Sequence, residues 1–318
     1  MFLDGLPPEA RELLLGVAQP VSFVRGATLF CHGEAADGAY VVRDGVAKAS
    51  IVAPGGEAFE VGFFSAGDLL GELALVSSST RSATVTAETL LDGWHVARDD
   101  FRALVAQRGS AAVALQYSVA LSLARRLTAI ASRASRIASG DDLPAREPLV
   151  GDPLREVPRL RRPPFDLVGF LPKLPFFEGF MASEIDEATA SGRYLERPRG
   201  SVLIAPGSGA DSVLLVLRGA SEMLRPVPNG CRRVAVLGPG QVLGLPSHLL
   251  GATHASWVLA RENSLLLEWP AAVFQEMLAS DTAVGNRVRR SALRYLAAAI
   301  SRGNRELARL AFPAGAMA

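Results

Sequence analysis

The stretch GELALVSSSTRSATV, residues 71–85, sets a carboxylate, Glu72, and a guanidinium, Arg81, at the two ends of a run that is otherwise small and apolar. The same stretch is written again as GLPSHLLGATHASWV, residues 244–258, with both charges gone. Upstream of these two, VRGATLFCHGEAADGAYVVRDGVAKA from Val24 lies over PRGSVLIAPGSGADSVLLVLRGASEM from Pro198. Gly26, Gly33, Asp37 and Gly45 fall on Gly200, Gly207, Asp211 and Gly219, and further on Gly67 and Gly71 fall on Gly240 and Gly244. The offset changes only from 174 to 173 residues, so one unit has been duplicated with a single gap.

Each copy reads as many short strands. Runs such as AYVVRDG, AKASIVA, SVLLVLRG and RRVAVLG are rich in Val and Leu and bounded by Gly, Asp or Pro, which favours a small antiparallel barrel or jelly roll. A helix is expected ahead of each copy, over PPEARELLLGVA and MASEIDEATASG, and a long alanine-rich helix after each, over roughly 98–138 and 271–311. In the first long helix Val113, Gln116, Ala120, Leu123, Leu127, Ile130, Ala134 and Ile137 alternate spacings of three and four. That seam suits either a helix partner, and so a homodimer, or the helix's own barrel. Between the copies, six prolines in residues 140–169 imply an extended linker, which carries the basic knot Arg159, Arg161 and Arg162.

With 33 Lys+Arg against 32 Asp+Glu, the net charge is +1, so nothing global draws the chain to phosphate polymers or an anionic membrane. At 49% hydrophobic over 318 residues it can bury the cores of two domains. The two cysteines, Cys31 and Cys231, form no zinc spacing or disulfide framework. No stretch reaches the ~18 apolar residues of a membrane span, and the N-terminal residues lack a signal core. A soluble cytoplasmic protein is expected. The four histidines, His32, His95, His248 and His254, show no catalytic or metal spacing, and an enzyme is not expected.

The chemistry of residues 71–85 points to a small phosphate. Gly67 and Gly71 lead into Glu72–Val76, a run with helical propensity whose start would offer backbone N–H groups to an anion. Arg81 opens RSATVTA, which alternates like a strand and would fix the guanidinium in direction. A guanidinium fork matches two phosphate oxygens, and an ionised Glu72 accepts from a sugar hydroxyl, with Gly71, Ala74, Ser82 and Ala83 leaving room for the ring. Spacing alone equally allows a Glu72–Arg81 salt bridge that merely closes a loop.

The motif G-E-[small/apolar]-A-L, a short loop, then R-S-A-T closely resembles the phosphate-binding cassette of the cyclic nucleotide-binding domain, the module shared by the catabolite activator protein, cyclic-nucleotide-gated channels and the regulatory subunit of cAMP-dependent protein kinase. The resemblance extends over residues 20–139 and, in the second copy, over roughly 168–318. It implies a mainly β fold with flanking α: two double-stranded β-helix (jelly-roll) barrels, 1–139 and 168–318, each followed by a long helix and joined by the linker 140–167. It gives Glu72 to the ribose 2′-hydroxyl and Arg81 to the cyclic phosphate, with Gly71, Leu73 and Ser82 around them, for cAMP or cGMP as ligand and with no cofactor. Purine contacts in the family come partly from the helix after the barrel, so Thr128 and Ser132 are candidates, and ARRL at 124–127 echoes the catabolite activator helix from a register four residues further on.

In the second copy Leu245 stands for Glu72 and His254 for Arg81, while Pro246 removes a backbone donor, so ordinary cyclic nucleotide binding is not expected there. Neither the linker nor the tail ELARLAFPAGAMA offers a helix-turn-helix, so direct DNA contact is not expected. The knot LRRPPF follows the first domain and carries proline where a kinase-inhibitory segment would have a small residue. The expectation is a regulator that binds a cyclic nucleotide in its first domain and relays it to a protein partner. The alternative is a nucleotide-independent interaction scaffold built from two such barrels.

Overall fold

The computed structural model describes residues 2–52, 58–77, 80–137, 159–160, 169–227 and 230–311, without the side chains of Val52, Arg159 and Leu160. Most of the expected linker, including Arg161 and Arg162, lies outside the described residues, as do Ser78 and Ser79 within the cassette. The chain forms two compact units. Unit 1 is Met1–Ile130 together with the chain from Leu296 onward, and unit 2 is Ala131–Tyr295.

Unit 1 opens with α1 (Pro8–Val17), which begins on a proline because the first helical N–H has no partner to lose. Its strands are β1 (Gln19–Phe23), β2 (Thr28–Phe30), β3 (Gly38–Asp44), β4 (Ala47–Val52), β5 (Ala58–Phe64) and β6 (Leu69–Leu70). The short helix α2 (Leu73–Val76) follows, then β7 (Thr84–Ala87), β8 (Leu91–Ala97), α3 (Arg98–Ala106) and α4 (Ser110–Ile137). The strands make two four-stranded antiparallel sheets, β1-β8-β3-β6 and β2-β7-β4-β5. This is the jelly roll that strands bounded by Gly and Asp turns predict.

Unit 2 begins with β9 (Arg159–Leu160), then α5 (Ala182–Ala190), β10 (Arg193–Arg197), β11 (Val202–Ile204), β12 (Ser212–Arg218), β13 (Ser221–Val227) and β14 (Gly230–Leu237). There follow β15 (Val242–Leu243), α6 (Leu245–Leu250), β16 (Trp257–Ala260), β17 (Ser264–Pro270), α7 (Ala271–Ala279) and α8 (Ala283–Ala311). Its sheets, β15-β12-β17-β10-β9 and β11-β16-β13-β14, repeat the strand order of unit 1, with β9 added at one edge. The repeat read in the sequence is therefore a repeat of topology. No helix among the described residues is long and apolar enough to cross a membrane.

The helical stretches after the barrels are each broken, where single helices over 98–138 and 271–311 were expected. Arg108 and Gly109 take φ values of 63° and 96°, a left-handed pair that ends α3 and restarts the chain as α4. In the second copy Thr282 makes the restart, its hydroxyl oxygen accepting from the Gly285 N–H at 3.0 Å ahead of α8. The heptad seam of α4 is largely covered within the chain, since Gln116, Ala120, Leu123 and Ile130 are all buried.

The two barrel cores differ in grain. Unit 1 fills its core with Leu29, Val42, Leu70 and Val85 but also with Ala47, Ala49, Ala83 and Ala87. Unit 2 uses Leu195, Leu203, Leu214, Leu237, Leu243 and Leu266, with alanine at only one place in its cluster. Leu70 and Leu243 are twins on the short strands β6 and β15, and neither is exposed to solvent. Truncating either to alanine removes Cγ and both Cδ atoms from a close-packed interior, so Leu70→Ala and Leu243→Ala should each cost about 2–5 kcal/mol in urea unfolding.

Candidate functional site

The cassette is built on backbone geometry before any charge is considered. Gly71 has φ 68°, and a Cβ there would lie 2.5 Å from Arg81 Nη1, so this position excludes side chains on two grounds. Gly244, its twin, has φ 83° and would meet both His254 and the Ser212 carbonyl at 3.2 Å. Arg81 precedes β7 rather than lying in it. Its backbone is fixed by the Gly33 N–H donating to its carbonyl at 2.9 Å and by its own N–H donating to Glu34 O at 2.8 Å. The same two bonds recur in unit 2, from Gly207 to His254 and from His254 to Ser208, at 2.8 and 3.0 Å. The loop frame thus survives the loss of the arginine.

Glu72 and Arg81 do not pair with each other. Glu72, 1% exposed, accepts from Arg126 Nη1 of α4 at 2.8 Å on Oε1 and 3.0 Å on Oε2. Arg126 also lies over the Phe64 ring at 5.5 Å. Arg81, 4% exposed, donates from Nη1 to the Gly38 carbonyl at 2.7 Å and from Nη2 to Asp37 Oδ1 at 2.5 Å, with its guanidinium 4.1 Å above the Phe30 ring. The loop-closing salt bridge that spacing allowed is replaced by two separate pairs, because each charge points to a different wall of the site. A carboxylate so deeply buried requires a partner, and α4 supplies it.

Between these pairs lies a small, partly open space lined by Phe30, Gly71, Leu73, Ala74, Thr80, Arg81, Ser82, Ala83 and Arg126, among others. The centre of a water-sized sphere can occupy only about 20 Å³ of it, enough for one or two waters. Of the residues read from the sequence, Gly71, Leu73, Arg81 and Ser82 line the space, while Glu72 is covered by Arg126. The first turn of the short helix α2 is closed by the Ala74 N–H donating to Gly71 O at 3.0 Å. Thr128 is exposed and its hydroxyl donates to Ala124 O at 3.0 Å within α4, and Ser132 is exposed beyond the end of unit 1.

Two residues of the site escaped sequence reasoning. Asp37 was visible as a position kept in both copies, and Arg126 as part of ARRL, but nothing local joins either to a partner 44 or 54 residues away. In unit 2 the corresponding environment is neutral: Leu245 is fully buried, and burial pushes the His254 imidazole below its ordinary value, with Asp211 opposing. Burial lowers His248 as well, against hydrogen bonds to Gln275 and Ala210.

If the Glu72–Arg126 pair is what holds the buried carboxylate, Arg126→Ala should cost about 3–5 kcal/mol in urea unfolding. The double variant Glu72→Leu/Arg126→Ala, which installs the residues found at the matching positions Leu245 and Ala299, should recover much of that loss. A second expectation follows from the two histidines. Their native values lie below the 6.5 of the unfolded chain, so the unfolded chain binds protons first as pH falls. The urea midpoint should therefore drop as pH is lowered from about 6.5, and His254→Gln should flatten part of that slope.

Comparison with known proteins places this geometry in a family. The cyclic nucleotide-binding domain family matches residues 20–108 and again 195–281, together more than half of the chain. A CRP-like cAMP-activated global transcriptional regulator of Mycobacterium tuberculosis is 31% identical over 107 residues, 34% of this chain and 48% of that protein. A cAMP-dependent protein kinase regulatory subunit of Yarrowia lipolytica is 38% identical over 80 residues, 25% of this chain and 20% of that protein. The chain thus spans less than half the length of these curated relatives. Among solved structures, the regulatory domain of Toxoplasma gondii PKA with cAMP aligns at 18% identity over 86% of this chain and 87% of that one, with a TM-score of 0.31. The double match of the family, on the two barrels whose strand orders repeat, shows that this chain belongs to the cyclic nucleotide-binding domain family and carries its domain twice.

Proposed function

We propose that unit 1 is the receptor site for a cyclic nucleotide, with cAMP or cGMP as ligand, in a cytoplasmic, non-enzymatic regulator that relays occupancy to a protein partner. What carries the reading is that Arg81, at the lining of the space, and Glu72, behind the lining residue Arg126, are both buried yet each is held by its own separate partner. Two groups that served only to close a loop would satisfy each other. Asp37 and Arg126 instead stand where a ligand's two polar ends would bind: the Asp37 carboxylate replaces the anionic phosphate at Arg81, and the Arg126 guanidinium replaces the hydroxyl donor at Glu72.

In this reading a ribose hydroxyl takes the place of Arg126 on Glu72 when the ligand binds. Arg126 is carried by α4, and its displacement couples ligand occupancy to the position of that helix as a population shift. Unit 2 keeps the barrel without the two charges, and its role in this reading is as an interaction surface rather than a second ordinary site. The tight filling of the space is the one observation that favours the scaffold reading, in which both ion pairs are permanent.

Isothermal titration of the full chain separates the two. Binding of cAMP or cGMP with micromolar or stronger affinity is expected, and no heat from either up to high micromolar ligand would sink the receptor reading. Arg81→Ala, which removes charge-assisted donors to the phosphate, should weaken binding by about 100-fold while the circular dichroism spectrum stays that of the folded chain.

A further inference from the structure

Unit 2 holds a larger space, at the end of its barrel away from the cassette. A cleft of about 320 Å³ is lined there by Glu196, Arg197, Arg218, Asn263 and Ser264, among others. Arg197 closes β10, Arg218 closes β12, and Ser264 opens β17, the strand that runs between those two. Arg197 pairs with Ser264 and Arg218 with Leu265, so the two arginines flank the start of β17 from opposite sides. Their backbones are two strand spacings apart, about 10 Å. The cassette lies towards the other end of β12, where the Ser212 carbonyl is beside Gly244, and the strand from Ser212 to Arg218 spans about 20 Å.

The first copy shows that barrel packing does not call for this wall. The positions matching Arg197, Arg218, Asn263 and Ser264 in unit 1 are Phe23, Asp44, Leu90 and Leu91. Phe23 packs against the core of its barrel, and Leu91 belongs to that core. Unit 2 instead places a guanidinium, 4% exposed, where a phenyl ring serves, and a hydroxyl, 5% exposed, where a leucine serves. Covering a guanidinium costs desolvation that an apolar side chain does not, so packing does not account for Arg197. The charge also changes sign. The matching positions of unit 1 carry two acids, Asp44 and Asp92, and no cation, whereas the cleft carries two arginines and one acid, the exposed Glu196.

We propose that this cleft binds a small two-headed anion, a diphosphate or a dicarboxylate, with one head on Arg197 and the other on Arg218. A guanidinium fork matches the oxygens of phosphate and carboxylate alike, and two forks on either side of one strand suit a ligand with two such heads. Asn263 adds a donor: its Oδ1 accepts from the Arg199 N–H at 3.0 Å, which leaves its Nδ2 to donate. The Ser264 hydroxyl is committed to Glu262 O at 2.8 Å and serves as wall. The volume is at the lower end of small-molecule sites, which suits a metabolite rather than a peptide. No aromatic ring lines the cleft, so nothing there stacks on a base. The proposal is independent of the nucleotide-binding reading of unit 1.

Isothermal titration of pyrophosphate and of succinate into the full chain at matched ionic strength tests this, with Arg218→Ala, Arg197→Gln and Arg81→Ala titrated alongside. At least one of the two anions should bind the wild type, and the tighter one names the head group. Arg218→Ala, at an exposed position, should stay folded and weaken that binding about tenfold. Arg197→Gln should weaken it further, and should that variant fail to fold, Arg218→Ala decides. Arg81→Ala should leave anion binding unchanged. No heat from either anion at millimolar concentration, or equal binding by the wild type and Arg218→Ala, would overturn the proposal. Binding lost in Arg81→Ala instead would put the anion in the first cassette and overturn it equally. A wild type that binds an anion through Arg218 but binds no cAMP supports the cleft and overturns the receptor reading alone.

Discussion

The constraint on which the candidate site depends is the burial of one carboxylate. Glu72 is almost wholly removed from water, and an ionised group in that position must be met by a cation or by several donors, or the desolvation penalty falls on the folded state. The chain meets it with Arg126, from a helix that follows the barrel. Satisfying the charge and positioning α4 are therefore the same event. A packing contact between α4 and the barrel could slide by fractions of an ångström with little change in energy, whereas a two-oxygen contact to a guanidinium is either made or broken. An all-or-none contact of this kind ties the position of α4 to the charge on Glu72.

The duplicated copy separates what the loop needs for its shape from what it needs for its chemistry. Both cassettes keep the left-handed glycine, Gly71 or Gly244, and both keep the reciprocal backbone bonds that hold Arg81 or His254. The charges are absent from the second copy, and the fold is not. Glu72, Arg81 and Arg126 match Leu245, His254 and Ala299, so the members of the Glu72–Arg126 pair are replaced together rather than singly. Had only one of the first pair been lost, the other would have been stranded in a low-dielectric environment. The second barrel core also exchanges small residues for leucine, as a barrel does when its interior serves packing alone.

What the sequence made legible was local. Turn glycines, short Val- and Leu-rich strands and the cassette motif are all short-range features, and the repeat doubled every one of these signals, so the jelly-roll pair could be read, although Arg81, expected to open a strand, precedes β7. The partners of the two charges were not legible, because Asp37 and Arg126 meet Arg81 and Glu72 only after the barrel has closed and α4 has folded back over it. The break at Arg108 and Gly109 was missed for a different reason. A lone glycine inside an alanine-rich helical pattern carries a modest propensity cost, and only the left-handed pair of φ angles reveals that it ends one helix and starts another.

On the proposed receptor reading, with Arg81 as the phosphate end and Glu72 as the ribose end, the two ends of the site differ in how readily their present partners can be exchanged. At the phosphate end the Arg81 side chain is 3% exposed but that of Asp37 is 68% exposed, so the carboxylate can turn into water and recover its hydration when an anion displaces it. The exchange is one anionic acceptor for another on a fixed guanidinium, and it need not move the backbone. At the ribose end both members are largely covered, the side chains of Arg126 and Glu72 being 16% and 1% exposed, and the group that must leave is anchored to a helix of 28 residues. A neutral hydroxyl offers Glu72 a weaker bond than the guanidinium it replaces, so this exchange is unfavourable taken alone and must be driven by the contacts made elsewhere in the site. The phosphate end is thus suited to supply affinity and the ribose end to convert it into displacement of α4. A ligand lacking the phosphate would leave the second exchange without its driving force, whereas one lacking the hydroxyl would bind Arg81 and leave Arg126 where it is.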